Sequence, residues 1–174
     1  KQGWQFGAKY INAFKVKGLT LQAEYNEVRP YTYSHGSVQQ NYSNYGQPLA
    51  HPLGANFREY LGFASYRANR WMLSFQGMSA TVGKDTMGSN LGQNIFLSYT
   101  SRPYEYGHHT TQGNKTQLLQ SDIKFTYYAI PQLNLRLELG YIQRSIKDDL
   151  GYELQSPYIY VGIKTSIHQF YRDY

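Results

Sequence analysis

The chain has 174 residues, 17 Lys and Arg against 11 Asp and Glu for a net charge of +6, no cysteine, 16 glycines and 19 tyrosines. That length suits a single domain over 1–174, and 41% hydrophobic with 17% aromatic residues excludes intrinsic disorder despite a mean hydropathy of −0.61. The lack of cysteine excludes a disulfide framework, thiolate metal ligands and cysteine nucleophiles; no apolar run is long enough for a membrane-spanning helix, and Lys1-Gln2-Gly3-Trp4 is neither a signal peptide nor a start methionine.

Taken in chain order, the segments alternate with the period of two that marks a strand with one apolar and one polar face. Trp4, Phe6, Ala8 and Tyr10 share a face of the first segment. A basic turn around Lys15 to Gly18 leads to Leu19, Leu21, Ala23 and Tyr25, which alternate with Thr20, Gln22, Glu24 and Asn26. Residues 57–67 and 71–82 read as a second hairpin joined near Asn69. Trp71, Leu73 and Phe75 share one face there, while the facing of 57–67 is ambiguous. Leu119, Ser121, Ile123, Phe125 and Tyr127 then alternate with Gln120, Asp122, Lys124 and Thr126, and Ile130-Pro131-Gln132 marks a turn, because proline cannot continue a ladder. Leu133 to Tyr141 follows in strict alternation. Setting Ala129 against Leu133 pairs Phe125 with Leu137 and Lys124 with Glu138, a chemically sensible register. The last run has Ile159, Val161, Ile163 and Ile167 on one face.

Short connections (15–18, 68–70, 130–132) alternate with long or polar ones (31–56, 84–116, 147–156). Structureless loops of that length are uncommon in compact soluble domains, whereas outer-membrane barrels combine short periplasmic turns with long outer loops. Ile95–Tyr99 is read as part of an outer loop, since a further crossing would break the alternation. Aromatics near strand ends (Trp4, Tyr10, Tyr25, Phe57, Trp71, Tyr127, Tyr141, Phe170, Tyr171) suit interfacial girdles. Glu24, Asp122, Lys124, Arg136, Glu138 and Arg144 suit a hydrated lumen.

The expected fold is therefore all-β, an antiparallel transmembrane β-barrel. Seven strands are counted, and barrels of this type have even strand numbers. The expectation is the C-terminal portion of a larger barrel, with about seven or eight strands in this chain. The competing readings are a solute-conducting porin and a soluble carbohydrate-binding sandwich or lipocalin-like barrel with the leucines inside.

The long loops carry the most distinctive text: Asn44-Tyr45-Gly46-Gln47-Pro48-Leu49-Ala50-His51-Pro52-Leu53-Gly54-Ala55-Asn56-Phe57-Arg58-Glu59, then Asn94-Ile95-Phe96-Leu97-Ser98-Tyr99 and Arg102-Pro103-Tyr104-Glu105-Tyr106-Gly107. Together with the ending Gly162 to Tyr174, they resemble the C-terminal half of the RemB-like gliding-motility proteins of Bacteroidota, a family distantly similar to Wzi-type capsule-assembly barrels. The resemblance implies an outer-membrane location and a non-enzymatic role at the cell surface in gliding motility or surface-polysaccharide attachment. Its implied partners are outer-membrane lipid, surface polysaccharide and motility or secretion-system proteins. It supplies no catalytic motif and no cofactor.

The residues themselves argue in the same direction. His108 and His109 are adjacent and point apart, and His35 and His51 have no ligand-spaced carboxylate, so no metal is expected. Ser34-His35-Gly36 lacks an elbow pattern, and His51 with Glu59 or His108 with Glu105 carries no specific signal. No formal charge lies between Arg29 and Arg58. Tyrosine stacks on sugar rings and Asn hydrogen-bonds hydroxyls, so Tyr42, Asn44, Tyr45, Asn56, Tyr99, Tyr104 and Tyr106 are candidate glycan or loop contacts. Arg58, Glu59, Arg102 and Glu105 are candidate loop-anchoring charges. The basic excess forms no stripe, so no nucleic-acid partner is expected.

Overall fold

The computed structural model describes residues 1–86 and 88–166. Seven strands form one antiparallel sheet in which every chain neighbour is a sheet neighbour: β1 (Gly3–Ile11), β2 (Leu19–Val28), β5 (Phe57–Ala68), β6 (Trp71–Lys84), β7 (Asn114–Ile130), β8 (Leu135–Asp148) and β9 (Glu153–Lys164). Between β2 and β5 lies a separate two-stranded pair, β3 (Ser43–Asn44) and β4 (Gln47–Pro48). The order is linear from β1 to β9, so among the described residues the sheet is open. Ile167 of the expected last strand, the expected girdle residues Phe170 and Tyr171, and the rest of the ending to Tyr174 lie outside the described residues.

Directly paired residues share a face, and the register sorts the side chains accordingly. One face carries Trp4, Phe6 and Tyr10 of β1; Leu19, Leu21 and Tyr25 of β2; Tyr60 and Tyr66 of β5; Trp71, Leu73 and Phe75 of β6. It continues through Ile123, Phe125 and Tyr127 of β7, Leu137, Leu139 and Tyr141 of β8, and Ile159, Val161 and Ile163 of β9. Most of these side chains are exposed, from Tyr141 at 41% to Val161 at 79%, and among the described residues no second layer covers them. Toward the ends of β6 to β9 that carry Lys84, Asn114, Asp148 and Glu153, the same face turns polar through Ser79, Thr81, Gln117, Ser145, Lys147 and Gln155. Aromatic pairs mark both ends of the apolar stretch. Trp71 packs on Tyr127 at 4.3 Å and Phe125 at 5.1 Å at the tight-turn end, and Tyr25 packs on Tyr60 at 5.0 Å toward the other.

The opposite face carries Lys9, Gln22, Glu24, Gln76, Asp122, Lys124, Arg136, Glu138 and Arg144. The facing of β5 is thereby settled: Phe57, Glu59, Leu61 and Phe63 lie here, and Tyr60, Ala64 and Tyr66 lie on the apolar face. Phe57 is fully buried in the small core and contributes to no aromatic girdle.

The β7–β8 hairpin departs from the expected register. An irregularity between Tyr128 and Ile130, a 3-10 turn at Pro131–Leu133 and left-handed Asn134 (φ 49°) lengthen the turn, so Phe125 faces Leu139 and Lys124 faces Gly140. From Tyr128 and Arg136 outward the slip is by two residues, so the paired side chains of β7 and β8 keep their expected faces there. Glu138 instead meets Lys164 of β9 at 2.7 Å and Arg136 at 3.0 Å. Gly140 sits under the Tyr160 ring, where a Cβ would lie 2.2 Å from the ring, so only glycine leaves the ring its place.

Tight connections (12–18, 69–70, 131–134) all fall at one end of the sheet, and 29–56, 85–113 and 149–152 at the other. The last of these is a short polar turn, with β8 and β9 running through the rest of 147–156. Ile95–Tyr99 forms no strand and lies within the second long loop.

Candidate functional site

Among the described residues, the hydrophobic core lies where the long loops fold onto the polar face. Val28, Ala55, Phe57, Val82 and Ile95 cluster there, with Tyr33, Leu53 and Leu118 packed against them. Ile95 comes from 85–113, Tyr33, Leu53 and Ala55 from 29–56, and Val28, Phe57, Val82 and Leu118 from the strands, so the loops are bound to the sheet by burial as well as by hydrogen bonds.

Each loop is organised by short polar side chains that satisfy backbone groups no ladder can reach. In 29–56, left-handed Tyr45 and Gly46 (φ 47° and 70°) turn the β3–β4 pair, which raises Tyr45 to 97% exposure. His51 accepts from the Leu53 N–H at 3.2 Å and stacks on Phe57 at 4.4 Å. In 85–113, the Asp85 carboxylate accepts from the N–H groups of Leu91 (2.7 Å), Gln93 (3.4 Å) and Asn94 (3.4 Å). Asn90 donates to the Ser98 carbonyl and the Ser101 hydroxyl, both at 2.9 Å.

The loops also lock to each other. Tyr31 donates its N–H to the Gly92 carbonyl at 3.0 Å and its hydroxyl to the Asn90 carbonyl at 2.7 Å. Asn41 donates to the Leu97 carbonyl at 3.2 Å, Ser98 to the Gly36 carbonyl at 2.8 Å, and Gln93 to the Leu53 carbonyl at 3.0 Å. Burial pushes the Tyr31 hydroxyl up to about 12, with the Asp85 charge adding to the effect, so it is a donor across the physiological range. Burial raises Tyr33 as well, and neighbouring Tyr42 adds to it.

The candidate glycan contacts divide. Tyr42, Tyr45, Tyr104 and Tyr106 are exposed at 52–97%, and Asn44 stands exposed beside Tyr45 in the small hairpin. Asn56 makes the loop contact and not the glycan contact, since it has no accessible surface. Its amide donates to the carbonyls of Gly83 (2.6 Å) and Gln112 (2.8 Å), and its oxygen accepts from the Gln112 N–H (3.2 Å). Gly83 permits this crossing, since a Cβ there would stand 2.0 Å from the Gln112 carbonyl.

The anchoring charges divide too. Glu59, 3% exposed, accepts from Asn26 at 2.9 Å and meets His51 at 3.1 Å, tying 29–56 to the sheet. Arg58 does not join it, because adjacent strand residues point to opposite faces. It pairs with Glu27 at 3.2 Å, and Glu27 in turn accepts from Tyr25 and, at 2.7 Å, from Thr110 of the second loop. Arg102 and Glu105 pair with each other inside 85–113. The six charges expected on one face, Glu24, Asp122, Lys124, Arg136, Glu138 and Arg144, all lie on the polar face. Asp122 and Lys124 line a groove of about 270 Å³ with Lys9, Gln22 and Gln76. His108 contacts Gln112 and the Tyr104 carbonyl rather than Glu105.

At the seam of the two loops lies a cavity of about 370 Å³, lined by Lys1, Arg29, Tyr31, Tyr99, Arg102, Glu105, Tyr106 and His108. Of these, only Tyr99, Tyr106, Arg102 and Glu105 stood out in the sequence. Lys1 and Arg29 carried no such signal, because they reach the cavity only through the fold. Neither a family model, nor a curated protein, nor a solved structure matches the chain.

Proposed function

We propose that this sheet is part of an outer-membrane β-barrel of the RemB-like type. Its apolar face meets lipid, its polar face lines the lumen, and its interlocked loops form the outer mouth. The protein acts there without catalysis, in gliding motility or surface-polysaccharide attachment, within a larger membrane assembly. One observation carries the reading: among the described residues, an apolar face spread over all seven strands has no protein layer on it, while the charged face is the one the loops pack against. In water such a face would be an association site far larger than monomeric proteins tolerate. In a bilayer it is the ordinary lipid surface, bounded by aromatics at both ends. A soluble sandwich reverses this arrangement, placing its leucines against a second sheet. Two long loops folded over the polar face narrow the mouth, which favours a surface role over free solute conduction.

Fractionation tests the location: the protein should stay with outer membranes through alkaline carbonate and release only in detergent. Recovery in a soluble fraction would sink the reading. Deletion in the parent organism should impair gliding or capsule retention, and an open channel insensitive to loop deletion would move the assignment to a porin.

A further inference from the structure

We propose that the cavity between the two long loops binds an acidic sugar, a pyranose ring bearing a carboxylate, as found in a surface polysaccharide; the inference rests on the outer-mouth reading and names its ligand. Three cations, Lys1, Arg29 and Arg102, converge on the cavity against one carboxylate, Glu105. Glu105 is paired with Arg102, and among the described residues Arg29 and Lys1 have no ion-pair partner. Arg29 donates one N–H to the His108 carbonyl at 2.7 Å, and Arg102 donates to the Tyr99 carbonyl at 3.0 Å. A guanidinium has five N–H donors in a planar fork, so each retains donors for a carboxylate.

The walls are aromatic. Lys1 Nζ stands 3.7 Å from the centroid of the Tyr99 ring and the Arg102 guanidinium 5.1 Å from it, holding two positive charges around one ring. Tyr106 is 86% exposed beside them, a free ring face for the C–H side of a sugar. Burial, and then the repulsion of Arg102, lowers the affinity of Lys1 for its proton; a bound anion relieves that crowding. The volume falls within the roughly 300–1,000 Å³ of small-molecule sites. A bare anion would use the cations and leave the aromatic walls idle, whereas a neutral sugar would use the walls and leave the cations unpaired. The site is also pre-formed, because Tyr31 at its floor is tied to Gly92 and Asn90.

The test is calorimetric titration of the full chain folded in detergent with a glucuronate-containing tetrasaccharide, a neutral N-acetylglucosamine tetrasaccharide, and inorganic phosphate. The acidic oligosaccharide should bind, with the other two roughly tenfold or more weaker. Arg102→Gln and Arg29→Gln should each weaken it roughly tenfold, and Tyr106→Ala about three- to tenfold. Lys147→Gln, on the strand face away from the cavity, should change nothing. Equal affinity for acidic and neutral sugars, or phosphate binding as tightly as the acidic sugar, overturns the proposal. Should an arginine variant lose its strand circular dichroism, the change Tyr106→Ala at a largely exposed side chain decides, and unchanged affinity there overturns it. Fractionation is unaffected by any of these outcomes, so failure of the ligand and failure of the membrane reading are told apart.

Discussion

Asn56 shows how little of a residue's role is carried by its type alone. As text in an uncharged Tyr- and Asn-rich loop it reads as a sugar contact, yet its backbone sits at φ 60°, where asparagine is among the few tolerated side chains. Its amide joins the end of β6 to the return of 85–113. Asn56→Ala leaves two carbonyls and one N–H buried without partners and adds left-handed strain, so it should cost about 2–4 kcal/mol. The loss should be local: limited trypsin digestion should cut near Arg102 far faster while strand circular dichroism is kept. Asn56→Asp keeps the shape and places a carboxylate against two carbonyls, so it should be at least as damaging. A mild Asn56→Asp would mean that shape, not hydrogen bonding, is what the site requires. Arg58 and Glu59 teach the same lesson from the other side. They read as a pair in sequence, but one holds Glu27 on the apolar face and the other holds His51 beneath the first loop.

At the scale of elements, the strands were legible and the loops were not, for a physical reason. A strand writes its two faces into alternate positions, as Leu135, Leu137, Leu139 and Tyr141 do, and that pattern survives a register slip because the β7–β8 shift preserves facing. The longer Ile130–Asn134 turn was invisible, since left-handed Asn134 has no periodic signature. Loop architecture depends on contacts between distant segments, such as Asp85 gathering three N–H groups or Tyr31 meeting Gly92, and a single sequence does not spell out such pairs. The seam cavity was half legible for the same reason: Tyr99, Arg102, Glu105 and Tyr106 are neighbours in sequence, while Lys1 and Arg29 reach it only through folding. Ile95 tests whether the second loop is a folded element. It is 2% exposed and joins loop to sheet, so Ile95→Ala should cost about 2–4 kcal/mol. Hydrogen exchange should quicken across 85–113 and leave β7 and β8 protected; uniform quickening of the sheet would show instead that loop and sheet unfold as one unit.

For the whole molecule, the decisive question is what covers the apolar face, and the chain offers a clean way to ask it because it contains no cysteine. Under the barrel reading β1 and β9, unpaired at their outer edges among the described residues, meet further strands, since unpaired backbone groups in hydrocarbon cost several kcal/mol each. Leu139, flanked by Phe125 and Val161, then sits in lipid, and Gln76, flanked by Phe63 and Asp122, sits in the lumen. A fluorophore on Leu139→Cys should be quenched by brominated acyl chains and not by aqueous iodide, and one on Gln76→Cys should show the opposite. Destabilisation alone would not decide the matter. Leu139→Arg costs about 2–4 kcal/mol near a bilayer midplane, but it would be costly in a protein core as well. Quenching separates the two environments, because only a lipid-facing position meets bromine directly. Iodide access at Leu139→Cys would point to water, and protection from both quenchers would point to a protein layer over the leucine face.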